Sequence, residues 1–96
     1  MNDTEYFTGS TVHLSCTFES DDGARVNPDS VFITFYNARY EEIQSVHLNE
    51  SNAIETGVYT YDYILPDKEM PMIYEWNGFY QGSHSFQRKA MNVKFV

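Results

Sequence analysis

The chain has 96 residues, with six Lys and Arg against fourteen Asp and Glu and a formal charge of −8, which is the length of one domain and the wrong sign for gripping a phosphate backbone. Hydrophobic residues make up 42% and aromatic residues 17%, enough apolar surface to build a core and to exclude wholesale disorder. The single cysteine, Cys16, excludes an intramolecular disulfide and points to folding in a reducing compartment.

The start Met1-Asn2-Asp3-Thr4-Glu5 is polar and acidic, without the basic stretch and apolar run of a secretory leader. The longest apolar run, Val31-Phe32-Ile33, is far short of the about 20 residues that cross a bilayer. Neither nucleic acid nor membrane is therefore expected as a partner. The sequons Asn2-Asp3-Thr4 and Asn49-Glu50-Ser51 are expected to stay unmodified in a chain without a leader.

Alternation of apolar and polar residues, the pattern of a half-buried strand, dominates the chain. From Thr11 to Phe18 the set Val12, Leu14, Cys16, Phe18 alternates with His13, Ser15, Thr17. Asp22-Gly23 and Asn27-Pro28-Asp29-Ser30 then signal turns, because glycine accepts positive φ and proline fixes its own. Val31 to Tyr36 places Val31, Ile33 and Phe35 on one side and Phe32, Thr34 and Tyr36 on the other, a strand expected to need cover on both faces. Residues 37–42 read as a hairpin connection to a partner strand at Ile43–Leu48. After polar residues 49–56, Gly57 opens a strand that puts Tyr59, Tyr61, Tyr63 and Leu65 on one face and is stopped by Pro66. Met72–Trp76 extends again, Asn77-Gly78 and Gln81-Gly82 are two turn candidates, and a last strand runs from about Phe86 to Val96.

No segment carries helical spacing with a capping signal, so the domain is expected to be all-β. A sandwich is favoured over a small barrel because the long polar connections at 19–30 and 49–57 suit crossings between sheets.

Little in the sequence points to chemistry. His13, His47 and His84 lie far apart and lack metal-ligand spacing, and Glu19, Asp21, Asp22 and Asp29 lack the pattern of a calcium loop. No serine sits in a Gly-x-Ser-x-Gly elbow, no Cys-His pair is close, and Glu41-Glu42 falls in an exposed turn. No cofactor, metal site or catalytic residue is expected, and Cys16 is expected to be a buried, unreactive thiol. Tyr59, Tyr61, Tyr63 and Trp76 are expected in the core. Phe32 and Tyr36 are expected to face away from it as an apolar patch, the kind of surface that meets another subunit.

The stretches Glu5-Tyr6-Phe7-Thr8-Gly9-Ser10-Thr11-Val12, Asp21-Asp22-Gly23, Pro28-Asp29-Ser30-Val31, Gly57-Val58-Tyr59-Thr60-Tyr61, Leu65-Pro66 and Tyr74-Glu75-Trp76-Asn77-Gly78 follow in an order that resembles the small immunoglobulin-like proteins encoded among the head, neck and tail genes of tailed bacteriophages. The Gly-x-Tyr-x-Tyr, Leu-Pro, Glu-Trp-x-Gly order is also similar to macroglobulin-type bacterial immunoglobulin-like modules. The resemblance implies a single immunoglobulin-like β-sandwich over residues 1–96, with about seven antiparallel strands and Greek-key connections. It further implies a non-enzymatic virion component, made in the host cytoplasm, that decorates the head or joins head, neck and tail through contacts with capsid, neck or tail subunits or with copies of itself. Phe32, Tyr36, Phe79 and Tyr80 are more aromatic than a solvated surface needs and form the candidate interface. The alternative is an adhesion or carbohydrate-contacting module of a bacterial surface protein; a small enzyme or metal protein is a third, weaker reading.

Overall fold

The computed structural model of the protein describes residues 4–95. Its strands are β1 (Thr4–Phe7), β2 (Thr11–Thr17), β3 (Ser30–Asn37), β4 (Glu42–Leu48), β5 (Ala53–Glu55), β6 (Val58–Ile64), β7 (Met70–Tyr80) and β8 (Ser83–Lys94), with one 3-10 turn at Glu50–Asn52. They form a five-stranded sheet in the order β1-β8-β7-β3-β4 and a three-stranded sheet in the order β2-β6-β5.

Period-two burial builds both sheets. Along β2 the residues alternate exposed and buried without a break, and β6 does likewise with Tyr59 and Tyr63 inward, because one face of each strand must leave water. The two inner faces share one core. Phe35 of β3 stacks on Tyr63 of β6 with ring centres 3.8 Å apart, Phe18 meets Tyr59 edge-on at 5.8 Å, and Trp76, Met72, Met91, Val93, Val12, Leu14 and Cys16 fill the rest. The Trp76 indole N–H finds no acceptor among the described residues.

Several expectations need correction. The described residues hold eight strands rather than about seven, and β1 pairs with β8 in parallel, Thr4 opposite Met91, so the strands are not all antiparallel. The strands β1 and β5 were not legible because they are four and three residues long, too short to show a period. Asn77-Gly78 is not a turn: both residues lie inside β7, opposite Phe32 and Val31. Gly78 is required there by packing, since a Cβ would sit 2.5 Å from Phe18 Cε1. The turn of this hairpin is Gln81-Gly82, with φ of +48° and +79°, the positive pair that a two-residue hairpin needs. Finally, among the described residues no second sheet covers the outer face of β3, where Thr34 is buried by its neighbours' side chains. The polar connections at 19–30 and 49–57 do carry the chain from one sheet to the other.

The β7–β8 hairpin is the longest feature, and its length, about 40 Å for twelve extended residues, accounts for the 42 Å long axis of the molecule. Residues 83–90 of β8 are all exposed, those of inward parity being the polar Ser83, Ser85, Gln87 and Lys89.

Two outcomes follow from this packing. Gly78→Ala should cost about 1–3 kcal/mol in urea unfolding, the usual range for overpacking, and Phe18→Leu in the same chain should recover part of it by removing the ring atoms that block the new methyl. Burial pushes the Cys16 thiol from 9.0 up to about 11, against a smaller downward pull from Lys89, so thiol reagents at about pH 8 should label the protein only after denaturation.

Candidate functional site

The outward face of the five-stranded sheet is laid out by strand register. Across it Phe32 lies between His47 and Asn77, Thr34 between Ser45 and Glu75, and Tyr36 between Glu42 and Ile73. One strand further, Phe79 faces His84, Asn77 faces Phe86, and Glu75 faces Arg88. All these side chains share one parity, opposite to that of Ile33, Phe35 and Trp76, and therefore point away from the core.

The rings on this face touch in sequence. His47 stacks on Phe32 with centres 4.5 Å apart, Phe32 meets Phe79 edge-on at 6.3 Å, Phe79 stacks on His84 at 4.5 Å, and His84 leans toward Phe86 at 5.7 Å. Arg88 places its guanidinium 5.5 Å from the Tyr40 ring and 5.6 Å from the Phe86 ring, within cation–π reach of both, and Tyr40 lies 6.3 Å from Tyr36. Tyr40, Phe79 and Phe86 are 57%, 40% and 57% exposed, so the apolar rim of the array is open to solvent.

A line of hydrogen bonds runs beneath the rings. His84 Nε2 donates to Asn77 Oδ1 at 2.6 Å, and Asn77 Nδ2 donates to Glu75 Oε1 at 3.0 Å. Arg88 Nε donates to Glu75 Oε2 at 2.7 Å and its Nη2 reaches the same oxygen. Both carboxylate oxygens of Glu75 are thus satisfied, as a group this buried requires. Burial alone would raise the Glu75 pKa, but the hydrogen bonds from Asn77 and Arg88, with the charges of Arg88 and His84, outweigh it and hold the carboxyl below its ordinary 4.5. Thr34, also buried, shares a hydrogen bond with Ser45 at 3.0 Å.

Of the four interface residues expected from the sequence, the structure brings Phe32 and Phe79 into contact and sets Tyr36 on the same face, beyond Thr34. Tyr80 does not belong to the array. As the neighbour of Phe79 in a strand it takes the opposite parity, and it lines an open cleft beside Glu19, Asp21 and Asp22. Sequence reading missed His47, Tyr40, Glu75, His84, Phe86 and Arg88. The signal was present: a hairpin turned at Gln81-Gly82 alone sets Phe79 against His84, Asn77 against Phe86 and Glu75 against Arg88, whereas a turn at Asn77-Gly78 would scatter them.

The other polar candidates stay separate. His13 bonds Asp62 at 2.6 Å on the outer face of the smaller sheet. Asp22 accepts from Ser20 and from the Ala24 amide, which hold its carboxyl below its ordinary value, and Asp29 accepts from the Gln81 amide at 3.1 Å. Among the described residues no group of three or more His, Cys, Asp or Glu is placed to hold a metal, and no helix is long and apolar enough to cross a membrane. Compared with known proteins, the chain matches no protein-family model, no curated protein and no solved structure.

A carboxyl whose folded pKa is depressed contributes stability above its unfolded value and loses it as pH falls through the folded one. Unfolding free energy should therefore decline between about pH 5 and about pH 3, and Glu75→Gln should decline less steeply than the wild type over the same interval in parallel urea titrations.

Proposed function

We propose that this chain is an immunoglobulin-like domain that works without catalysis, by docking the aromatic face of its larger sheet on another protein. The observation that carries this is the continuous run His47–Phe32–Phe79–His84–Phe86 with Arg88 at its edge. Exposed aromatic rings and arginine are enriched where protein interfaces have their centres, and a patch of them costs solubility unless it is covered. The strand order, with chain crossings between sheets after β1, β2, β4 and β6, supports the immunoglobulin-like reading.

Within that class the proposed role is a virion part of a tailed phage, on the head or at the head–neck–tail junction, with capsid, neck or tail subunits as partners. Support comes from the motif order of the sequence and from an acidic, cysteine-poor composition suited to assembly in a host cytosol. Carbohydrate contact through the same rings is less well supported, because Phe32 and Phe79 stand at 88° to each other and do not form the flat platform that sugars stack on.

The role predicts that the protein is found in multiple copies in purified phage particles by mass spectrometry. Phe79→Ser with Phe86→Ser should remove it from particles with at most a modest drop in thermal midpoint, the two side chains being 40% and 57% exposed. Particles that lack the wild-type protein, or retention of the wild type on polysaccharide columns, would overturn this role.

A further inference from the structure

The two sheets have four edges: β1 and β4 in the larger, β2 and β5 in the smaller. Open strand edges pair with other chains unless they are shortened, bulged or charged. β1 is four residues long. β5 is three residues long, with a register shift and Glu55 at its end. β4 opens on Glu42 and is bulged against Phe35 and Tyr36. β2 has none of these devices. It is seven residues long, keeps an unbroken register with β6 from Thr11 to Thr17, and contains no Pro, Gly, Asp, Glu, Lys or Arg.

The hydrogen-bond parity of β2 is fixed at both ends. The Phe18 amide donates to the Gly57 carbonyl at 2.8 Å, and the Leu65 amide to the Ser10 carbonyl at 2.9 Å. Even-numbered residues of β2 therefore direct their backbone groups to β6. Thr11, His13, Ser15 and Thr17 direct theirs off the sheet, where no strand pairs with them among the described residues. One group of the row has a partner within the chain: Gln87 Nε2 donates to the Thr17 carbonyl at 3.1 Å, a side-chain bond that the Thr11 amide of an incoming strand would replace.

This edge is complementary to itself. Laid antiparallel against a copy with Leu14 opposite Leu14, Thr11 meets Thr17 and His13 meets Ser15, and these are the residues whose N–H and C=O groups face outward. Val12 then meets Cys16 on the core side. Each opposed pair is Thr with Thr, His with Ser, Val with Cys or Leu with Leu, without like charges, and Thr pairs on facing strands are favourable. For a chain of charge −8 that absence matters, since like charges directly opposite one another destabilise a strand pair. The adjacent acid, Asp62, sits one strand back and is bonded to His13; in such a pair the two Asp62 residues would be about 16 Å apart, three strand spacings across and two residues along, beyond the about 8–10 Å screening length.

We propose that the β2 edge is a self-pairing surface, on which a second copy of this chain docks antiparallel through Thr11–Thr17 and joins the two three-stranded sheets across a two-fold axis. The contact is isologous, so it closes as a dimer, and it is independent of the aromatic face.

Sedimentation equilibrium of the full chain from micromolar to several hundred micromolar should show mass rising from 11.2 kDa toward twice that value. In the dimer, hydrogen exchange at the amides of His13, Ser15 and Thr17 should slow with concentration. Ser15→Pro removes an N–H that serves only the incoming strand, a position where edge strands accept proline, and should raise the dissociation constant at least tenfold. Ser15→Lys should do the same, because a lysine on an edge strand is one of the devices that block pairing, and answers the question if the proline variant does not fold. Phe79→Ser with Phe86→Ser should leave the dimer intact. A chain that stays monomeric throughout, a dimer that Ser15→Lys does not weaken, or concentration-independent exchange at the three amides overturns the proposal.

Discussion

The stack of Phe35 on Tyr63, 3.8 Å between ring centres, is the contact on which the rest of the molecule depends. It joins β3, an inner strand of the larger sheet, to β6, the central strand of the smaller one, and in doing so it sets the parity of both. With Phe35 fully buried, Ile33 and Val31 must follow it inward, and Phe32 and Tyr36 must turn out. A shift of one residue in β3 would exchange the core for the outward aromatic face. The same constraint runs through β7, where Trp76 goes in and Glu75 and Asn77 come out.

The outward face has aromatic rings over a polar floor, and each layer explains the other. Large rings packed side by side shield the backbone and the Glu75 carboxylate from water, which would destabilise the charge if Arg88 and Asn77 did not occupy both its oxygens. In turn the line from His84 through Asn77 and Glu75 to Arg88 fixes His84, on which Phe79 stacks, and Arg88, which lies by the Tyr40 and Phe86 rings. A face held in this way loses little side-chain entropy on docking, which is the main cost of burying flexible groups at an interface.

Edges divide into guarded and unguarded ones. Brevity at β1 and β5, and a glutamate with a bulge at β4, are the devices by which sheets avoid unintended partners. The seven residues of β2, with no Asp, Glu, Lys or Arg among them, stand apart from that pattern, in a chain otherwise rich in acid. Face and edge belong to different sheets, so the two proposed contacts do not compete for the same residues.

Alternation alone determined the all-β class, the inward sets of β2, β3 and β6, and the burial of Cys16, since each needs only the period of a strand and the drive of apolar side chains out of water. It also placed Phe32 and Tyr36 on the outer side. Parity read from sequence could not say which residues on other strands would stand beside them. That depended on the register of the β7–β8 hairpin, and two glycine signals competed for its turn. Only the tertiary structure decided between them, because Gly78 is held inside the strand by the Phe18 ring lying against its Cα, a contact between residues 60 positions apart. With that choice made, Phe79, His84, Phe86 and Arg88 fell into one array and Tyr80 out of it. The short strands β1 and β5 have too few residues to carry a period, and they exist through the hydrogen bonds their neighbours offer.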